Sequence, residues 1–402
     1  MNRPDAPSPL RAYLMLLFAA VLLAGFLLRG QIGSAVLANA AAIQIAKTRD
    51  IALIDYREFP TCQATDRYAA LESRLERALA LDLHNRSAWL NLVKVRWAQG
   101  DCAAVEQMLA SRLAQDDPSL ALIAALLDIQ SDQFKGRASY PQAADLAAFF
   151  DRAGLDAENQ GLVDVAAQWY RAGFLFDPTL KKAEWLVDYD TSMDDMDGVA
   201  RTWAYLAQEK PDTEDGLWAK YKHAECIGDL QIRIDALEKG SEASADPYLF
   251  LTELGRAYRE AAEYEKAITA YKQAMEMRPT EINPVIGIGA SYLGAKDYEK
   301  AESYLSTART MDESNQYVYY YLGIAYYEMG DLEAAINEFR IGIDLQVRAD
   351  FRPWEWSKQL GSWYMKAGRC AEAKAAYEQA LEWQPGEKSL LEAIQDAEIC
   401  EK

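Results

Sequence analysis

The glycines Gly255, Gly289, Gly323 and Gly361 stand at steps of 34, 34 and 38 residues, and three residues after each comes a tyrosine: Tyr258, Tyr292, Tyr326 and Tyr364. Twelve residues beyond each glycine is an alanine, Ala267, Ala301, Ala335 or Ala373. Four further on is a bulky residue, Tyr271, Leu305, Phe339 or Tyr377, and three after that a small one, Ala274, Ala308, Gly342 or Ala380. A period of this length constrains the fold more than any composition does. It means one supersecondary unit copied along the chain, each copy too small to bury its own apolar face until its neighbours stack on it. Glycine and alanine at a helix crossing let two helices approach closely, and aromatics three or four residues away fill the space beside the contact. Breaks such as "EMGDLE" and "KAGRCAE" divide each copy, so the expected unit is an antiparallel helix pair.

The stretch "LTELGRAYREAAEYEKAITAYKQAMEMRP", residues 251–279, resembles a tetratricopeptide repeat, with its large residue, Leu-Gly, Tyr, Ala, aromatic, Ala and closing Pro. Pro385 closes the last copy as well, whereas Glu313 and Val347 replace the proline in the two between. The register extends upstream to starts at Tyr248, Glu214, Leu180 and Ala147, the last followed by the well-kept second half "VAAQWYRAGFLFDP". Earlier still, "LERALALDLHN" ends one copy, "AWLNLVKVRWAQGDCAAVEQML" forms another, and the apolar run "LALIAALLDI" marks an irregular pair before the loop "SDQFKGRASYP". The expected fold is all-α, and the resemblance implies a right-handed superhelical solenoid of antiparallel helix pairs. Four well-matched repeats are expected over 247–385, degenerate ones over 52–246, and a polar-faced capping helix over 386–402.

Residues 12–28, "AYLMLLFAAVLLAGFLL", are uncharged and bounded by Arg11 and Arg29, at the lower limit for a helix that spans a bilayer. The reading is a membrane anchor over 12–30, after a short tail over 1–11 and before a juxtamembrane helix or linker over 31–51. Small residues "ANA" at 38–40 offer signal cleavage as the alternative, although they lie far beyond Arg29 for a short polar region. Arg3 and Arg11 precede the span and Arg29, Lys47 and Arg49 follow it, so flanking charge does not orient it. Cys62 and Cys102 lie near the start of the repeats and Cys370 and Cys400 near their end, with Cys226 between. Two disulfides would staple the two ends and place the repeats on the extracytoplasmic side; five unrelated buried thiols are the alternative.

A net charge of -20 repels phosphate backbones, so nucleic acid is not an expected partner. The two histidines, His84 in an inter-repeat loop and His223 in a helix, have no ligand partners at metal-binding spacing. No phosphate-binding loop, nucleophile elbow or dinucleotide fingerprint is present. The acidic run "DYDTSMDDMDG", residues 188–198, fails as a calcium loop, because Gly198 at its sixth place puts Met193 first and Ala204 twelfth. It reads as a solvated inter-helix loop. Neither a cofactor nor catalysis by this chain is expected.

Binding remains, and "YVYYYLGIAYY", residues 317–327, is its densest signal. The resemblance implies that Tyr319 and Tyr326 pack between helices, while the first helix of each pair lines the concave groove. Tyr317, Tyr320, Ile324 and Tyr327 share one stripe of that helix, are not needed for the core, and face the groove. Thr252, Arg256 and Arg259 flank the stripe on one side, Asn283 stands between, and Lys358, Gln359 and Ser362 flank the other. Tyrosine offers contact area with a polar handle and arginine holds carboxylates bidentately, so the expected ligand is an extended or amphipathic protein segment with aromatic or apolar anchors and acidic groups. Chaperone-binding relatives of such repeats use a lysine and asparagine clamp; Thr252, Gly287, Tyr317 and Tyr321 fill most of those positions here, so a chaperone tail is not expected. The chain therefore reads as a membrane-anchored scaffold or adaptor for a membrane-associated protein partner, its anchor raising the effective concentration. The alternatives are a noncatalytic subunit of a surface-glycan or secretion enzyme complex, and a secreted binding protein released after signal cleavage.

Overall fold

The computed structural model describes residues 34–35, 37–38, 68–82, 85–109, 118–130, 140 and 143–401, in two compact units, Met1–Asp195 and Met196–Lys402. Among the described residues there are nineteen α-helices and no strand.

The first unit holds α1 (Ala69–Leu81), α2 (Arg86–Gln99), α3 (Cys102–Leu109), α4 (Pro118–Gln130), α5 (Ala143–Asn159), α6 (Val163–Phe176) and α7 (Leu180–Ser192). Leu71, Leu75 and Ala78 of α1 pack on Ala88, Leu92 and Val95 of α2. Part of the stretch read as a juxtamembrane linker joins this core. Residues 34–35 and 37–38 are helical, Ser34 and Ala38 are 0% and 1% exposed, and Asn85 Nδ2 donates to Ser34 Oγ at 2.7 Å. A second core lies between α5 and α6, where Phe150 stacks on Trp169 with ring centroids 6.0 Å apart. The expectation of a solvated loop over 188–198 is corrected in part. Residues 188–192 belong to α7, and Asp190 is buried against the Arg171 guanidinium, because an acidic side chain turned inward needs a cation there. Cys102 is disulfide-bonded. The expected anchor over 12–30, Cys62 and His84 lie outside the described residues. Among those described, no helix is long and apolar enough to cross a membrane.

The second unit begins with α8 (Met196–Glu209), which packs on α9 (Glu214–Ile227). Five helix pairs follow, four at the 34-residue step and the last 38 residues on: α9 with α10 (Leu230–Ala243), α11 (Tyr248–Glu260) with α12 (Tyr264–Met277), α13 (Ile282–Gly294) with α14 (Tyr298–Met311), α15 (Gln316–Glu328) with α16 (Leu332–Arg348), and α17 (Trp354–Lys366) with α18 (Cys370–Trp383). A last helix, α19 (Lys388–Cys400), lies on α18 and is tied to it by the Cys370–Cys400 disulfide, with Cα atoms 5.7 Å apart. Cys226 is a free, exposed thiol.

Each pair turns on one left-handed residue, and that residue keeps the register too: Gly228, Ala262 (φ 58°), Lys296 (φ 62°), Gly330 (φ 88°) and Gly368. The next backbone N–H reaches back over the end of the first helix, as in Asp331 N to Tyr326 O at 2.9 Å, and the Asp331 carboxylate then accepts from Ala334 N at 3.0 Å to cap the second helix. The longer 38-residue step has a local cause: α16 runs for 17 residues where α12, α14 and α18 run for 14. At the crossings the small residues are used up completely. A Cβ on Gly323 would sit 2.5 Å from the Phe339 ring, and Ala335 is fully buried opposite.

Candidate functional site

From α11 on, each first helix of the second unit spends its Gly face on its own second helix. Its other face meets the adjacent first helices, α11 against α13 and α13 against α15. Along this shared face the side chains fall into three sections of different chemistry.

The section on α9 and α11 is polar and closed by its own bonds. Tyr221 donates to Glu253 Oε2 at 2.9 Å and accepts from Arg256 Nη2 at 2.7 Å. The same Arg256 donates to Glu225 Oε1 at 2.9 Å, and through Nε to Glu253 at 2.7 Å, while Lys222 donates to Glu225 at 2.7 Å. Burial pushes the Glu225 carboxyl up, but its bonds to Lys222 and Arg256 together outweigh that and hold it below the usual carboxylate range. Burial, then the Glu253 charge, drive the Tyr221 phenol upward. Two cations answer two carboxylates, so Arg256 is not a free basic flank.

The middle section is α13. Its residues 284–291 are all buried, and the helix carries no charged side chain. Small size makes this possible: a Cβ on Gly287 would lie 2.5 Å from the ring of Tyr271, which fills the gap and whose phenol burial pushes up to about 12. Above it Arg259, from α11, reaches to α15, where Nη1 donates to Tyr321 Oη at 3.4 Å and the guanidinium lies 5.9 Å from that ring's centroid. Asn283, at the start of α13, is exposed.

The section on α15 and α17 is aromatic. Tyr320 stacks on Trp356 with centroids 4.6 Å apart and packs on Phe339 at 5.2 Å. Tyr327 stacks on Trp363 at 4.9 Å and accepts from Lys366 Nζ, and Ile324 joins the same apolar cluster. The expectation that this stripe is spare from the core is thus corrected. Trp356 and Trp363, seven residues apart on α17, bring two large rings to one face, and tyrosine rings cover them. That spacing was the signal in the sequence that could have revealed it. Tyr319 and Tyr326 lie between helices, donating to Glu313 O at 2.9 Å and Glu302 Oε1 at 3.3 Å. Lys358 Nζ donates to Ser389 Oγ at 2.6 Å on α19, and Gln359 is exposed. Tyr317 remains 50% exposed, edge-on to Trp356 at 6.1 Å.

The fold and this face define a helical-repeat protein. Residues 251–282, 292–344 and 359–387 match models of the tetratricopeptide repeat. The chain therefore carries tetratricopeptide repeats, modules that mediate protein–protein interaction and assembly. A stretch of 128 residues is 27% identical to anaphase-promoting complex subunit 6 of Arabidopsis thaliana, covering 32% of this chain but only 24% of that protein. Among solved structures, a tetratricopeptide repeat protein from Parabacteroides merdae superposes with a TM-score of 0.50 over 63% of this chain and 99% of its own, at 11% identity. That likeness is one of fold alone. A thermophilic TPR protein of Thermus thermophilus covers 46% of this chain and 100% of its own, at 18% identity and a TM-score of 0.39.

Proposed function

We propose that this chain is a noncatalytic scaffold that takes an extended segment of a protein partner on the first-helix face of its second unit, the concave groove that the family resemblance implies. The observation that carries the reading is Tyr317. Half of its surface is open beside Trp356, at the edge of an aromatic cluster and within the matched repeats. An aromatic ring held against a rigid neighbour and left half uncovered is a low-entropy anchor for a partner side chain. Tyr320 and Tyr327 form the floor of that site and Tyr317 its open rim.

The anchor over 12–30 is part of the same proposal, and so is its sidedness. Signal cleavage after Ala40 would strip Ser34 and Ala38 out of the core of α1 and α2, which supports retention of the N-terminal segment. The Cys370–Cys400 bond and the bonded state of Cys102 support an oxidising, extracytoplasmic compartment. The mass of the mature protein and gel-shift alkylation before and after reduction test these two points.

The function itself is tested by a photoreactive side chain at Tyr317 in cells, with a control at Asn337, exposed on the second helix of the same pair. A discrete crosslinked product from Tyr317 alone is expected, and equal labelling from both positions would dismiss the proposal.

A further inference from the structure

We propose that Arg259 is a carboxylate-binding residue and that the partner segment carries an acidic group across α13. The inference rests on the first-helix face being the partner-binding face, and it adds the chemistry of the ligand.

Arg259 is half-buried, and the contacts it makes are to neutral rings: one long hydrogen bond to Tyr321 Oη at 3.4 Å and a position 5.9 Å from that ring's centre. Taking a guanidinium out of water is costly unless an anion answers it. The carboxylates that could do so are committed elsewhere. On its own helix, Glu253 is held by Arg256 and Tyr221, and Glu260 by the buried Arg233 at 3.0 Å. The helix beneath it, α13, has no acidic residue, and the one on α15, Glu328, accepts from Tyr298 at 3.2 Å. Lys222 and Arg256 balance Glu225 and Glu253, and the charge of Arg259 is left without a carboxylate among these groups.

Geometry adds to charge. Arg259 of α11 and Tyr321 of α15 meet across α13, a helix that carries no charged side chain. The Arg259–Tyr321 bond, at 3.4 Å, is long enough to be exchanged for a charge-assisted, two-pronged one. The aromatic rim at Tyr317 lies on the same helix as Tyr321, one turn toward its start. The ligand is thus an extended peptide with an aromatic or apolar residue at Tyr317 and a carboxylate at Arg259.

The probe is a set of three pools of short synthetic peptides, identical in their randomised aromatic and apolar positions. One pool carries internal Asp or Glu with an amidated end, a second internal Asn or Gln with a free C-terminal carboxylate, and a third Asn or Gln with an amidated end. Each is passed over the immobilised full chain and the retained peptides are quantified by mass. Retention of one acidic pool at least about tenfold above the neutral pool is expected, and which pool it is distinguishes side chain from chain end. Arg259→Gln should abolish the preference while neutral peptides are retained as before, Arg259→Lys should keep part of it, and Tyr321→Phe should keep or strengthen it. Melting curves matching the wild type show that the variants fold, and Tyr321→Phe decides the matter should Arg259→Gln not. Equal retention of all three pools overturns the carboxylate site and leaves the groove standing. Retention of none, with no crosslink at Tyr317, overturns both.

Discussion

Where α11 crosses α12, Gly255 and Ala267 let the helices close until the Tyr271 ring fills what is left. One repeat earlier, where α9 crosses α10, the same two places hold Tyr221 and Arg233, both almost fully buried. The first crossing is closed by apolar contact within the pair. The second cannot close that way, and its two large polar side chains reach forward to α11 instead, Tyr221 to Glu253 and Arg233 Nη1 to Glu260 at 3.0 Å. A regular crossing stabilises its own repeat, whereas this one couples a repeat to the next, and stacked arrays draw their stability from both kinds of contact. The difference teaches that a degenerate repeat is not merely a weakened copy. Its departures can carry the join.

Tyr221→Ala should cost about 4 kcal/mol in urea unfolding, because it opens a cavity and unties α9 from α11. If alanine were instead tolerated as a restored small residue, the contrast between the crossings would collapse. Gly323→Leu places a side chain where a Cβ alone lies 2.5 Å from Phe339, and should cost about 3 kcal/mol, with the melting point falling accordingly. Glu260→Gln should cost about 2 kcal/mol by leaving Arg233 buried without an anion, a value reduced because Glu260 is 53% exposed, whereas Arg233→Met should be nearly neutral. A loss from Arg233→Met with none from Glu260→Gln would mean that Arg233 acts by packing, not charge.

Two smaller effects sharpen the contrast. Glu225 has a folded pKa below its ordinary 4.5, so the stability it adds is present above that value and lost as pH falls through the lowered one. Glu225→Gln should therefore cost no more than about 1 kcal/mol at neutral pH, and the gap to wild type should narrow below pH 4.5 in acid titrations followed by circular dichroism. Lys296 holds the left-handed turn position that Gly330 fills one repeat later. Lys296→Gly should raise stability by about 0.5 kcal/mol, the relief of a left-handed side chain less the added backbone entropy, as read from the urea midpoint.

The candidate site was legible in outline. Tyr317, Tyr320, Ile324 and Tyr327 share a stripe because a helix repeats every 3.6 residues, and the repeat register placed that stripe on the first helix of its pair. What periodicity does not carry is the identity of the surface a stripe meets. Trp356 and Trp363 arrive from the following repeat and half-bury Tyr320 and Tyr327 against the core, leaving Tyr317 at the rim. Arg256 and Arg259 looked alike as basic flanks, yet the first is neutralised by Glu225 and Glu253 and the second faces a tyrosine from two repeats on.

From the sequence by itself came the all-α class, the helix pair as the unit and the starts of the pairs at Glu214 and Tyr248. Helix period, small residues at crossings and the turn residue between helices are local properties of the chain, and they recur wherever the unit recurs. Tertiary structure alone decided which tyrosines remain open, which arginine lacks a carboxylate, and how the crossing of α9 and α10 is joined to α11. Those outcomes depend on side chains one or two repeats apart, where the balance of burial against an available countercharge is set by neighbours rather than by the residue's own place in the pattern.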